Sequence, residues 1–139
     1  MRFFEKVKDG GPHSPVDGYV LFEHKHILSI ILLKFNTGSR EEYHSHAFNA
    51  VSWFLSGETT EYEKQANGLE TVRKSRSGMC LPHFTGKDLF HKYICHKPAW
   101  CLTVRGPWRD WWVDGNNILT HTRKIIGKLP LPQKKGDGL

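Results

Sequence analysis

Short runs in which Val, Ile, Phe, Tyr, Trp and Thr mix with polar residues recur along the chain, interrupted by Gly, Pro, Asn and Asp. In a strand successive side chains point to opposite faces, and short strands spaced by turn signals mark an all-β sandwich or barrel. The pattern predicts strands over 19–23, 27–35, 41–46, 51–56, 58–64, 70–76, 79–81, 90–95, 100–105, 111–113 and 119–126. No stretch carries a strong amphipathic helical period. Turn chemistry falls at Asp9-Gly10-Gly11-Pro12, Asn36-Thr37-Gly38, Asn67-Gly68 and Asp114-Gly115-Asn116-Asn117. Asn67-Gly68, set between EYEK and ETVRK, predicts a tight hairpin with left-handed backbone at both central residues.

Length and charge narrow this picture. A chain of 139 residues with 38% hydrophobic positions suits one domain with a real core. That domain is expected over 1–126, followed by a basic, Pro/Gly-rich mobile tail over 127–139, where KLPLPQKKGDGL offers little to bury. The apolar stretch 27–35 is far shorter than the roughly 20 residues of a membrane helix. The charged N-terminus MRFFEKVKDGGP does not read as a signal peptide, so a cytoplasmic location is expected. Net charge is +6, but the basic residues are dispersed; only Arg73-Lys74-Ser75-Arg76 and 123–135 cluster, which fits a solvated face or tail better than a nucleic-acid groove. Three cysteines, Cys80, Cys95 and Cys101, with no CxxC pair, argue against a disulfide framework or zinc ribbon and read as reduced, buried thiols.

The candidate chemistry lies in His44-Ser45-His46. Two histidines one residue apart in a strand share a face and can chelate one ion, with a further ligand supplied from elsewhere. Gly38 stands six positions before the pair and Gly57 eleven after it. A second such pair, His24 and His26, has no glycine frame and reads as surface, while His13, His96 and His121 have no partner at ligand spacing and read as exposed or hydrogen-bonded. Trp53, Trp100, Trp108, Trp111 and Trp112 either pack the core or line a pocket; Arg105 and Arg109 either clamp an anion or form ion pairs.

The segment GSREEYHSHAFNAVSWFLSG resembles the first motif of the cupins, although the position where that motif carries an acid is Ala50, with Asn49 beside it. GMCLPHFTGKDLFH is similar to the second motif, with Gly78, Pro82, Gly86 and His91. Over roughly 19–126 the order YHSHAFNAVSWFLSGETTEY, a later histidine, then AWCLTVRGPWRDWW resembles small single-domain, RmlC-like cupins common in bacteriophage and bacterial genomes. On that likeness Asn49 stands where an aspartate often lies, Glu61 matches a later acid, and Gly106-Pro107 with Arg109 matches a late turn.

The resemblance implies a jelly-roll barrel, or double-stranded β-helix, holding a divalent transition metal (iron, nickel, manganese or zinc) through His44, His46 and His91. His83 competes with His91 for the third place, and Asn49, Glu61 and Arg105 are candidates for an additional ligand or the pocket. It further implies a small-molecule ligand, anionic in one reading, a homodimer, and the host cytoplasm if the chain is phage-encoded. Small-molecule oxygenase chemistry is the first expectation and isomerase chemistry the second; the alternative is a non-enzymatic cupin that binds or sequesters a small ligand. No catalytic residue and no organic cofactor is assigned.

Overall fold

The computed structural model describes residues 1–10, 13–39, 43–65, 67–76, 81–114, 117–120 and 125–128. Among these the regular elements are all strands: β1 (Arg2–Lys8), β2 (Val16–His24), β3 (Leu28–Phe35), β4 (Gly38–Ser39), β5 (Ala50–Lys64), β6 (Glu70–Arg76), β7 (His83–Thr85), β8 (Phe90–Arg105), β9 (Trp111–Asp114), β10 (Asn117–Thr120) and β11 (Ile125–Lys128). One sheet runs β1-β2-β3-β8-β5-β6, with β4 added on β8 and β7 on β5; a second runs β11-β10-β9. Every pairing is antiparallel. The all-β jelly roll expected from the sequence is what forms. No described helix is long and apolar enough to cross a membrane.

Alternation explains which face is inside. In β3, Ser29, Ile31, Leu33 and Phe35 are buried while their neighbours are half-buried; in the second half of β8, Ala99, Cys101, Thr103 and Arg105 do the same. These faces meet Val20 and Phe54 in the main core. A smaller cluster joins Phe48, Ala50, Trp112 and Leu119, with Trp108 packed against it.

Four of the expected short strands are two long ones. The predicted break at Ser56-Gly57 is a bulge inside β5, and 90–95 and 100–105 are halves of β8. Register shifts cluster between Phe54 and Thr59, where Gly57 takes a φ of +86°. A Cβ there would lie 2.3 Å from the Pro98 carbonyl oxygen and 2.4 Å from the Ala99 Cα. An odd residue in a strand reverses the facing of everything beyond it. Ala50, Ser52 and Phe54 line the interior before the bulge, and Thr59 and Glu61 are buried after it.

Other departures have local causes. The strand expected over 41–46 is not continuous: 41 and 42 lie outside the described residues, and His44 pairs singly with His91 and with Asp114. Of 79–81 only Leu81 is described, exposed and outside any strand. The run 119–126 is divided between β10 and β11, with 121–124 outside the described residues. Asn67-Gly68 is not a two-residue turn. Gln65 donates its N–H to the Leu69 carbonyl (2.8 Å) and accepts from Gly68 (2.9 Å), so three residues separate the paired ends and Gly68, at φ +86°, supplies the left-handed position. β11 includes 127 and 128, which the composition assigns to the tail; 129–139 lie outside the described residues. β1, β4 and β7 were not foreseen. β1 is an edge strand in which only Val7 is even half-buried, so no alternation marks it.

Candidate metal centre

His44, Ser45 and His46 are each tied to a different segment. His44 exchanges backbone bonds with His91 of β8, N–H to carbonyl in both directions (2.9 and 3.0 Å). Ser45 donates its N–H to the Val113 carbonyl (2.8 Å) and accepts from the Val113 N–H on its hydroxyl (3.0 Å). His46 donates its N–H to the Lys87 carbonyl (3.2 Å). The chain is held extended across the barrel, so the two imidazoles share a face, as a period of two demands. His91 comes to meet them because it is the partner of His44.

The three rings form a near-equilateral triangle, with centroids 5.0 Å (His44–His46), 4.9 Å (His44–His91) and 4.9 Å (His46–His91) apart. One ring nitrogen from each lies within 4.8 Å of the others. His44 and His91 are buried and His46 half-buried. The rings line a cavity of about 130 Å³ that also touches Phe48, Arg105, Trp108 and Trp112.

Behind His91 lies Glu61, fully buried. It accepts hydrogen bonds from His91 Nδ1 (3.1 Å), Tyr93 Oη (2.8 Å) and His83 Nε2 (2.6 Å). Burial alone would raise its pKa, but the hydrogen bonds from His83 and His91 outweigh that and hold the carboxyl well below the usual range. An ionised carboxylate only accepts, so His91 Nδ1 carries the proton of that bond and, in the neutral ring that a metal requires, the lone pair is on Nε2. That lone pair faces His46 Nε2 at 2.8 Å.

This donor set fits a metal ion. For bonds of about 2.1 Å, adjacent octahedral ligands stand about 3.0 Å apart and opposite ones about 4.2 Å. The His46–His91 nitrogen separation of 2.8 Å is near the first value, and the three donor atoms all lie within 4.8 Å of one another. A carboxylate behind a ligating imidazole is the usual outer support of such sites, fixing the tautomer and raising basicity.

No family model matches the chain, and no curated protein matches it in sequence. Solved structures do match. Hydroxypropylphosphonic acid epoxidase from S. wedmorenis in complex with fosfomycin superposes at TM-score 0.57 and 15% identity over 73% of this chain and 54% of that one. Fe(II) HppE does so at 0.58 and 16%, over 73% and 55%. An RmlC-like cupin from Shewanella frigidimarina matches at 0.53 and 20%, over 77% of this chain and 86% of its own. This is a cupin fold. The chain spans a little over half the length of the HppE and epoxidase chains.

On this cupin barrel the expected residues sort by location. His44, His46 and His91 converge. His83 does not join them; it lies on the far side of Glu61, bonded to that carboxylate and to Tyr93 Oη (3.2 Å). Glu61 supports the triangle from behind. Asn49 is a correction to the motif reading: it is exposed, its Oδ1 accepting from Lys87 N–H (2.8 Å) and its carbonyl from Gly106 (2.8 Å), so it braces a turn outside the cavity. Ala50, at the motif's acid position, is buried in β5 between β7 and β8. Arg105 is buried on the cavity wall and bonded to Asp9 (2.9 Å), whereas Arg109 is paired with the exposed Asp88 (2.6 Å) and lies over Trp111. Trp108 and Trp112 line the cavity, while Trp100 packs on Tyr19.

Two contributors escaped the sequence reading. Tyr93 had a signal, since it lies two residues beyond His91 on the same face of β8. Asp9 had none, because only folding sets a turn residue beside one 96 positions away.

Proposed function

We propose that this protein is a metal-binding cupin in which His44, His46 and His91 hold a divalent transition metal at one wall of a small cavity, where a small organic molecule binds. The observation that carries the reading is the convergence of three ring nitrogens, one with its lone pair fixed inward by Glu61. Iron is the first candidate, because a fold neighbour is described with Fe(II); nickel, manganese and zinc fit the same donors. Three imidazoles are neutral, so a bound ion supplies its undiminished charge as a Lewis acid, or as a redox centre if it is iron. Oxygenase chemistry is therefore the first assignment and isomerisation the second.

The chain's own residues orient and enclose. Glu61 holds His91 in one tautomer, Tyr93 and His83 hold Glu61, and Phe48, Trp108 and Trp112 exclude water from the side facing the rings. One observation favours a second reading, a cupin that sequesters its ligand without turning it over: the acid position of the first motif is Ala50, and Glu61 is already engaged by three donors.

Metal analysis of protein purified without a histidine tag tests the proposal. About one equivalent of metal per chain is expected, lost in His46→Ala and His91→Ala. Chelation is expected to lower the melting temperature, since saturation at a hundredfold excess over Kd stabilises by about 2.7 kcal/mol. A metal-free wild type that gains no thermal stability from iron, nickel, manganese or zinc overturns it.

A further inference from the structure

We infer that the cavity is built for a small carboxylate anion, with Arg105 and the indole N–H of Trp108 receiving the carboxylate; this rests on the metal reading above. Arg105 is 5% exposed, and buried arginines are rare unless paired. Its pairing is partial. Nη2 bonds to Asp9, but Nε is buried with no acceptor among the described residues. Trp108 Nε1 is likewise buried with no acceptor among the described residues. Both side chains line the cavity that contains the three histidines.

Buried N–H groups without partners are uncommon and costly. Both belong to side chains that line the cavity, and a ligand that supplies acceptors there accounts for the two together. Phe48 links both side chains to the metal site: its ring stacks on His46 (centroids 5.1 Å, 24° between planes), Trp108 packs on it (5.1 Å), and the Arg105 guanidinium lies over it at 4.6 Å from the centroid. The donors and the imidazoles are therefore one aromatic ring apart.

Charge selects the ligand class. Arg105 and Asp9 cancel each other, the histidines coordinate as neutral rings and the Glu61 carboxylate behind His91 offsets one charge of a divalent ion, so one positive charge is left in a low-dielectric space. An anion offsets it; a neutral molecule does not. Number and size select further. Two unpaired N–H donors suit the two oxygens of a carboxylate better than the three or four of a phosphate. A cavity of about 150 Å³ holds benzene, and the space of about 130 Å³ here is of similar size, which suits a small acid.

The test is calorimetric titration of zinc-loaded protein with propionate and with propionamide, which match in size and differ in charge. Propionate is expected to bind at least tenfold more tightly. Trp108→Phe keeps an aromatic ring and removes the N–H, and is expected to weaken propionate about tenfold while leaving zinc affinity unchanged. Arg105→Met is expected to weaken it about a hundredfold; Trp108→Phe decides the matter if that variant does not fold. The inference is overturned by equal binding of propionamide, by a Trp108→Phe protein that binds propionate as the wild type does, or by inorganic phosphate binding as tightly as propionate. The same titration on metal-free protein separates the two readings. Failure of zinc, iron, nickel and manganese alike to bind overturns the metal assignment, whereas carboxylate binding sensitive to Trp108→Phe upholds the anion site.

Discussion

Replacing Gly57 by alanine tests how the barrel corner is built. The new Cβ would stand 2.3 Å from the Pro98 carbonyl oxygen, 2.4 Å from the Ala99 Cα and 2.6 Å from its Cβ. These neighbours are backbone and the shortest of side chains, so no rotamer change relieves the overlap. The φ of +86° adds the cost of a left-handed conformation, about 1–2 kcal/mol for a residue with a Cβ. Overpacking of a tight site adds about 1–3 kcal/mol, and rigid neighbours place this one at the upper end. The sum, about 3–5 kcal/mol, is a large share of the roughly 5–15 kcal/mol that holds a domain together. For a chain of this length it should lower the melting temperature by about 10–20 °C, measured by circular dichroism at fixed metal concentration. Gly86→Ala is the control. Its Cβ meets nothing closer than the Phe84 Cε1 at 3.8 Å and its φ is not left-handed, so its melting point should stay within about 2 °C, as for an unobstructed surface change. A Gly57→Ala protein melting within about 3 °C of wild type refutes the argument.

Glu61→Gln should lower metal affinity about 10–100-fold with the far-ultraviolet spectrum unchanged, because an amide cannot accept from His83, Tyr93 and His91 together; competition with a chelator reads this, and unchanged affinity would remove Glu61 from the site. In the main core, Ile31→Ala should cost about 2–5 kcal/mol in denaturant unfolding, whereas Leu21→Ala, at the 40%-exposed bulge position of β2, should cost under about 1 kcal/mol; equal losses would mean the assigned core is wrong. Burial pushes the Cys101 thiol up to about 12 and raises that of Cys95. Both are then neutral at pH 8 and should escape iodoacetamide in the native state, and peptide mapping that finds either one rapidly alkylated contradicts their burial.

Much of this was legible in the order of residues. Alternation located most strands because a half-buried strand records its two faces in its own sequence, and for the same reason the HxH spacing placed His44 and His46 side by side. Gly38 and Gly57 stood out as a motif frame; Gly57 is there because nothing larger fits against Pro98 and Ala99. What a linear pattern cannot carry is which distant segments become neighbours. His91 rather than His83 completes the triangle because β8 pairs with the His44 segment and the bulge in β5 turns Glu61 inward, between the two rivals. The meeting of Arg105 with Asp9, and of both with the cavity, is likewise a product of sheet register. Backbone pairing sets such contacts across the whole length of the chain, so they exist only once the barrel has closed.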